Sequence, residues 1–115
     1  MKTTLIACMM LGSRLLFAQS TSDGKVVLDN DNVKVYEFDS KPGKDVCGAG
    51  KHSHPAHLTV MLSDASVTIT TPDGKVSTKK IKAGTTFWSP AETHMVVNSG
   101  MGQVKCQLVE VKKKS

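Results

Sequence analysis

Short runs of alternating apolar and polar residues occupy the chain from residue 25 onward, and clusters of turn-forming residues separate them. In residues 66–71, Val67 and Ile69 alternate with Ser and Thr, which predicts a strand with both apolar side chains facing inward. Residues 72–74 (Pro-Asp-Gly) then predict a hairpin turn, because Pro fixes φ at the first corner and Gly adopts the positive φ after it. No segment sustains the period of a helix, so the pattern indicates an all-β chain.

About eight short strands at roughly 8–12-residue spacing favour a sandwich or a barrel. A jelly roll of two packed antiparallel sheets suits strands of this number and length. We therefore predict a single-domain double-stranded β-helix, a jelly-roll barrel, over residues 21–111, followed by a basic tail at 112–115. Residues 41–50 are rich in Gly and Pro and predict a loop. The predicted strands are residues 26–28, 33–38, 57–62, 66–71, 75–81, 86–88, 94–98 and 104–111.

Residues 1–20 have the features of a cleavable signal peptide: Lys2 near the start, an apolar stretch, and Ala18-Gln19-Ser20 before a polar segment. The uninterrupted apolar run is shorter than the roughly 20 residues that a membrane-spanning helix requires. We therefore expect a periplasmic or secreted protein without a stable membrane anchor.

The charge pattern argues against nucleic acid as a partner. The formal net charge is +5, but Lys2 and Arg14 belong to the predicted signal peptide and the other cations are scattered lysines. A nucleic-acid interface needs clustered cations and stacking aromatic side chains, whereas aromatic residues make up only 4% of this chain.

Cys47 and Cys106 remain once the signal peptide is removed. In an oxidising compartment they could form a disulfide, or they could be two separate thiols with Cys106 buried in a strand. Cys47 lies five residues before His52, so it could also lie at the mouth of a site around the histidines.

All four histidines lie in two places, His52, His54 and His57 within six residues and His94 alone. Neutral imidazole is the most common side-chain metal ligand, and residues two apart on a strand project from the same face. The pair His52 and His54 together with His94 therefore predicts a metal site. His57 would point the other way in a regular strand, but Pro55 could break the strand and turn it inward, so both a ligand role and a structural role remain open.

Two segments resemble the motifs of the cupin family. Residues 84–98 are similar to the second cupin motif, with Gly84, Pro90, His94 and Asn98 in the family's order. Residues 51–55 (Lys-His-Ser-His-Pro) are similar to the His-x-His opening of the first motif. The resemblance covers about residues 26–111 and implies a cupin-like barrel, which often forms a homodimer through edge strands such as residues 26–38.

The resemblance assigns His52, His54 and His94 as ligands of a divalent ion, which could be Fe, Zn or Mn. Where cupins usually carry a metal-binding glutamate, this chain has Leu58 and Thr59. Three-histidine iron cupins are similar to thiol and diketone dioxygenases, which implies oxidation of a small organic molecule.

Glu92, two residues before His94, could act catalytically as a proton shuttle, fix an imidazole from behind, or be a solvated loop residue. The sequence thus leaves three functions open: a metal-dependent dioxygenase, a non-catalytic cupin that binds or senses a metal or small ligand, and a metal-free barrel.

Overall fold

The computed structural model describes residues 24–113. Nine strands follow one another in this part of the chain, and it contains no helix that could span a membrane. The strands are β1 (Lys25–Asp29), β2 (Val33–Ser40), β3 (His52–His54), β4 (His57–Met61), β5 (Ala65–Thr70), β6 (Val76–Ile81), β7 (Thr86–Ser89), β8 (Glu92–Asn98) and β9 (Val104–Val111).

The strands form two antiparallel sheets, which confirms the all-β jelly roll that the alternation predicts. One sheet has the order β1-β2-β9-β4-β7 and the other the order β3-β8-β5-β6. Eight strands match the predicted ones within a few residues, and β3 is a ninth that the prediction did not separate. The predicted signal peptide and the last two residues of the basic tail lie outside the described residues.

The hairpin between β5 and β6 forms as its sequence predicts. Gly74 has a φ of 88°, and its amide donates a hydrogen bond to the carbonyl of Thr71 at 2.9 Å. The register that follows pairs Thr70 with Val76 and Val67 with Lys79. Val67 is 4% exposed and Ile69 packs against the core, so the inward face is the predicted one.

The core lies between the two sheets and is built from alternate residues of their strands. On β9 the buried positions are Val104, Cys106 and Leu108, two residues apart, and on β4 they include Thr59 and Met61. Because one face of each sheet is buried, a slip of one residue would exchange apolar and polar faces, and this fixes the register.

The predicted loop of residues 41–50 is held along β8 by backbone hydrogen bonds. The Val46 amide donates to the carbonyl of Val96 at 2.8 Å, and Asp45 forms an isolated bridge with Val97. The Ser40 hydroxyl donates to the carbonyl of Asp45 at 2.7 Å. These contacts place the residues after Val46 beside the N-terminal half of β8.

Asn98 joins three segments at the other end of β8. Its side chain is 0% exposed, and Nδ2 donates to the carbonyls of Ser40 at 3.0 Å and Gly102 at 2.9 Å. Oδ1 accepts a hydrogen bond from the amide of Gly100 at 3.0 Å. The side chain therefore satisfies backbone groups that would otherwise be buried without partners.

We expect Asn98→Ala to lower the free energy of unfolding by about 3 kcal/mol or more, because three hydrogen bonds are lost and buried backbone groups are left unsatisfied. Urea unfolding measures this change. Asn32→Ala, in the exposed turn between β1 and β2, is the matched control and should shift stability by less than about 0.5 kcal/mol. Equal effects of the two substitutions would contradict this account of Asn98.

Candidate metal centre

The pairing of β3 with β8 brings histidines from two distant parts of the chain together. His52 lies directly opposite His94 in the register, and His54 lies opposite Glu92. His52 and His54 are two residues apart, so they project from the same face of β3. On the outer face, the hydroxyls of Ser53 and Thr93 are 2.7 Å apart and form a hydrogen bond that supports the pairing.

Cys47 joins these three histidines from the loop beside β8. One ligand atom from each of the four residues lies within 4.8 Å of all the others. Donors on opposite sides of one ion are separated by about 4.2 Å when each bond is about 2.1 Å long. In a tetrahedral shell the same bonds place the donors about 3.4 Å apart, so the most widely separated atoms would approach one another by roughly an ångström on metal binding.

The rings of His52 and His94 each direct Nε2 towards Cys47, and the Nδ1 atom of each lies on the side of an oxygen atom. Nδ1 of His52 donates to the carbonyl of Gly50 at 2.9 Å, and its Nε2 lies 3.4 Å from Cys47 Sγ. Nδ1 of His94 lies 3.7 Å from Glu92 Oε1, and its Nε2 lies 3.7 Å from the same sulfur. The hydrogen bond from Nδ1 fixes the tautomer of His52 in which Nε2 carries the free lone pair, whereas the contact between His94 and Glu92 is longer than a hydrogen bond.

His54 supplies the observation that best fits a bound ion. Its Nε2 is buried and is the only such side-chain nitrogen or oxygen without a hydrogen-bond partner in residues 24–113. A buried nitrogen without a partner carries a desolvation cost that a metal bond would remove. The donor set of three imidazoles and one thiol is also chemically suited to zinc and to other late transition metals.

Burial favours the neutral imidazole at two members of this cluster. Burial and, to a lesser extent, the neighbouring imidazoles of His52, His57 and His94 together lower the pKa of His54 from the ordinary 6.5 to about 4. Burial also lowers the pKa of His94, although the charge of Glu92 opposes this effect. Because a metal binds only the neutral ring, lower pKa values keep the site competent at mildly acid pH.

Gly48 is required by the close approach of the loop to the ring of His52. Its φ is 148°, and a Cβ built there would lie 2.7 Å from Cγ of His52. No L side chain fits at this position without moving the imidazole, so the glycine lets the loop carry Cys47 into the cluster.

A cavity of about 310 Å³ lies between the sheets and reaches the cluster at Cys47 and His94. Its floor is mostly apolar and includes Val67, Ile69 and Leu108. This volume is at the lower end of the range for small-molecule sites. A ligand in the cavity would therefore lie next to the metal centre.

Solved structures with the same architecture include several that are described as cupins. A cupin domain from Bordetella pertussis Tohama I superposes with a TM-score of 0.70 at 26% sequence identity, covering 78% of this chain and 92% of that one. A cupin superfamily protein from Desulfitobacterium hafniense superposes with a TM-score of 0.57 at 16% identity, covering 78% and 76%. This chain is a cupin.

The polyketide cyclase RemF from Streptomyces resistomycificus has the same fold, with a TM-score of 0.59 at 21% identity. The match covers 77% of this cupin and 63% of the cyclase, so this cupin corresponds to less than two thirds of that enzyme. At this identity the likeness concerns the fold alone. No protein-family profile and no curated protein matches the sequence.

In this cupin the positions expected to hold an acidic ligand contribute no metal donor. Thr59 is buried and lines the cavity, while Leu58 lies between it and His57 on β4. Cys47 completes the four-donor cluster instead. The sequence suggested Cys47 only through its short separation from His52, and the Gly-rich loop gave no regular geometry from which to place it.

The structure shows Cys47 and Cys106 as free thiols, so the disulfide alternative is wrong for this structure. Cys106 is 3% exposed in β9, and burial raises the pKa of its thiol to about 12. Burial also raises the pKa of the Cys47 thiol, as do its negative neighbours, including Glu92 and Asp45. Cys47 is therefore protonated in the metal-free protein.

His57 lies beside the cluster but outside its four converging donors. Pro55 separates β3 from β4, and His57 turns inward, 3% exposed, with its ring centroid 5.0 Å from that of His54. Nδ1 of His57 donates to the carbonyl of Pro55 at 2.8 Å. The break at Pro55 is as expected, while a ligand role for His57 stays a prediction.

Glu92 lies behind the imidazole of His94. This is the position expected of a residue that orients that ring, which is one of the three roles considered for Glu92. It also lines the cavity, so its carboxylate faces both the metal ligand and the space for an organic molecule. A catalytic role for Glu92 stays a prediction.

The lowered histidine pKa values predict a loss of stability in acid for the metal-free protein. Between pH 6.5 and about 4 the unfolded chain binds a proton at His54 that the folded chain does not, so stability is present above this window and falls as the pH decreases through it. We expect the urea midpoint of the chelator-treated protein to fall over this range. His54→Gln should show a smaller fall, and equal slopes in the two proteins would contradict the assignment.

Proposed function

We propose that this cupin binds one divalent metal ion through His52, His54, His94 and Cys47, and that the adjoining cavity holds a small organic molecule on which the metal acts. The observation that supports this proposal is the unpartnered, buried Nε2 of His54, a residue that contributes one of the four donors of the cluster. A metal bond would satisfy this atom, and a purely structural barrel has no use for it.

The donor set favours borderline and softer ions over hard ones. Three imidazole nitrogens suit Zn, Fe, Co and Cu, and the sulfur of Cys47 strengthens this preference and disfavours Mn. A bound cation would deprotonate the thiol, whose negative charge offsets one of the two positive charges of the ion. Cys47 thus takes over the charge balance that a carboxylate would provide.

The arrangement supports metal-dependent oxidation of the bound molecule, with a dioxygenase as the most specific version. A bound iron ion would supply oxygen activation and Lewis acidity in this site. The chain itself contributes a mostly apolar cavity that excludes water, and a carboxylate at Glu92 that can hold or transfer a proton beside His94. Because Cys47 and His94 line the cavity, a molecule bound there would lie beside the residues that would hold the ion.

A second candidate function is capture or sensing of a metal without turnover. The observation that favours it is the number of protein donors, since four complete the tetrahedral shell that is typical of structural zinc. The two functions differ in a measurable way. A dioxygenase loaded with iron consumes dioxygen when it is given its substrate from a panel of small molecules. A metal-capture protein holds its ion without oxygen uptake.

The metal centre can be tested with Co(II), whose thiolate bond gives a near-ultraviolet charge-transfer band. We expect the wild-type protein to bind one Co(II) ion with this band, and Cys47→Ala to lose the band and more than about 100-fold in affinity, since even outer-shell changes cost 10–100-fold. His54→Gln should also abolish tight binding. Titrations followed by absorbance and elemental analysis measure both effects.

Cys106→Ala is the matched control, because Cys106 is the other buried thiol of the barrel and is not one of the four donors. It should keep the band and the stoichiometry. A band that disappears with Cys106 rather than Cys47, or a wild-type protein that binds no metal, would exclude the proposed centre.

We further propose that the chain is exported to the periplasm or secreted, on the basis of the signal-peptide features of residues 1–20. Expression of the full chain in a bacterial host should yield a mature protein that begins near residue 19–21. Intact-mass analysis of periplasmic and cytoplasmic fractions tests this expectation. A protein recovered only in the cytoplasm with residues 1–20 attached would contradict it.

A further inference from the structure

Lys79 is a cation on the inner face of the barrel. It lies opposite Val67 in the β5–β6 register, and cross-strand partners share a face of the sheet. Val67 is 4% exposed, and both residues line the cavity. Lys79 is exposed, so its register and its place in the cavity lining put it at the rim of the cavity, next to the buried apolar residues.

No carboxylate of the described chain neutralises Lys79. The ion pairs found in residues 24–113 join Lys105 to Asp39 and Lys112 to Asp29, and the carboxylate of Glu92 lies 3.7 Å from the imidazole of His94. Glu92 is the one acidic residue that lines the cavity, and it is already directed at His94. The cavity wall therefore presents an ammonium group without an anionic partner.

Lys79 is also too far from the metal centre to support it. The register places Lys79 level with Val67 and Asn98, and Asn98 lies four residues beyond His94 on β8. At about 3.3 Å per residue this is about 13 Å along the strands, with two further strand spacings of about 4.8 Å across them. The ammonium group of Lys79 therefore lies beside a different part of the cavity from the metal donors.

The surroundings of Lys79 form the entrance to the cavity. The exposed lining residues are Ser77 and Lys79 on β6 and Phe87 on β7, and β6 and β7 are edge strands of the two sheets. The cavity therefore opens between these two edges. A molecule that enters there passes an ammonium and a hydroxyl on one side and an aromatic ring on the other.

We infer that the ligand of this cavity is a small organic acid, with its apolar part against the floor at Val67 and Ile69 and its carboxylate held by Lys79 at the entrance. This inference rests on the proposed function for its use of the cavity as the ligand site. It adds the chemical class of the ligand and a residue that selects it. An acidic group satisfies the unpaired ammonium, and the apolar floor accommodates the remainder of the molecule.

Phenylacetate and phenylacetamide are suitable probes because they have nearly the same shape and differ in charge. We expect calorimetric titration of the metal-loaded protein to show phenylacetate binding about tenfold more tightly than the amide, as one charge-assisted contact provides. In Lys79→Gln this ratio should fall to about one while the affinity for the amide is unchanged. Lys79→Arg should retain the preference.

Lys80→Gln is the matched control, since Lys80 is the next residue of β6 and points to the opposite face. It should keep the tenfold ratio, and a loss of the ratio in this variant would overturn the inference in favour of general surface charge. Binding of neither probe to the wild-type protein, or equal binding of both, would also overturn it.

Two further measurements separate this inference from the metal site. Lys79→Gln should bind Co(II) with wild-type stoichiometry, because Lys79 lies far from the donors. A carboxylate preference that persists in Lys79→Gln but disappears in His54→Gln would place the anion on the metal and overturn the role of Lys79. A wild-type protein without metal would refute the proposed function, while the phenylacetate ratio would still test Lys79.

Discussion

The pairing of β3 with β8 is the constraint on which the candidate site depends. It is only three residues long, and it sets His52 opposite His94 and His54 opposite Glu92. A shift of one residue would turn the imidazoles of β3 to the outer face and leave His94 alone. The hydroxyl pair of Ser53 and Thr93 on the outer face supports this register, and so does the loop at residues 41–50, which lies along the same edge of β8 as β3.

Much of the barrel is predictable because the alternation of apolar and polar residues determines which face of each strand is buried. The β5–β6 hairpin is the clearest case, since Val67, Ile69 and the turn at residues 72–74 each agree with the structure. The His-x-His spacing likewise places His52 and His54 on one face. That His94 meets them depends on the pairing of distant strands, which the resemblance to the cupin motifs supplied and local periodicity alone could not.

The position of Cys47 in the cluster could not be predicted from the pattern of apolar and polar residues. Its position follows from a positive φ of 59° at its own backbone, a glycine at position 48 that only just clears His52, and long-range hydrogen bonds between the loop and β8. None of these produces a periodic pattern. The entrance role inferred for Lys79 depends on the structure throughout: its pairing with Val67 places it on the inner face of β6, and its lack of a carboxylate partner becomes visible only when the surrounding strands are in place.

A thiol rather than a carboxylate beside the three imidazoles changes which groups of the metal-free protein carry a charge. A carboxylate among the imidazoles would be ionised at neutral pH and would raise their pKa values, as Glu92 does for His94. The imidazoles would then compete for protons in the range where they must bind metal. The thiol of Cys47 keeps its proton until a cation arrives, because burial and the nearby carboxylates raise its pKa. His54, His94 and Cys47 therefore favour their neutral forms together, and the thiol proton would leave as a metal binds.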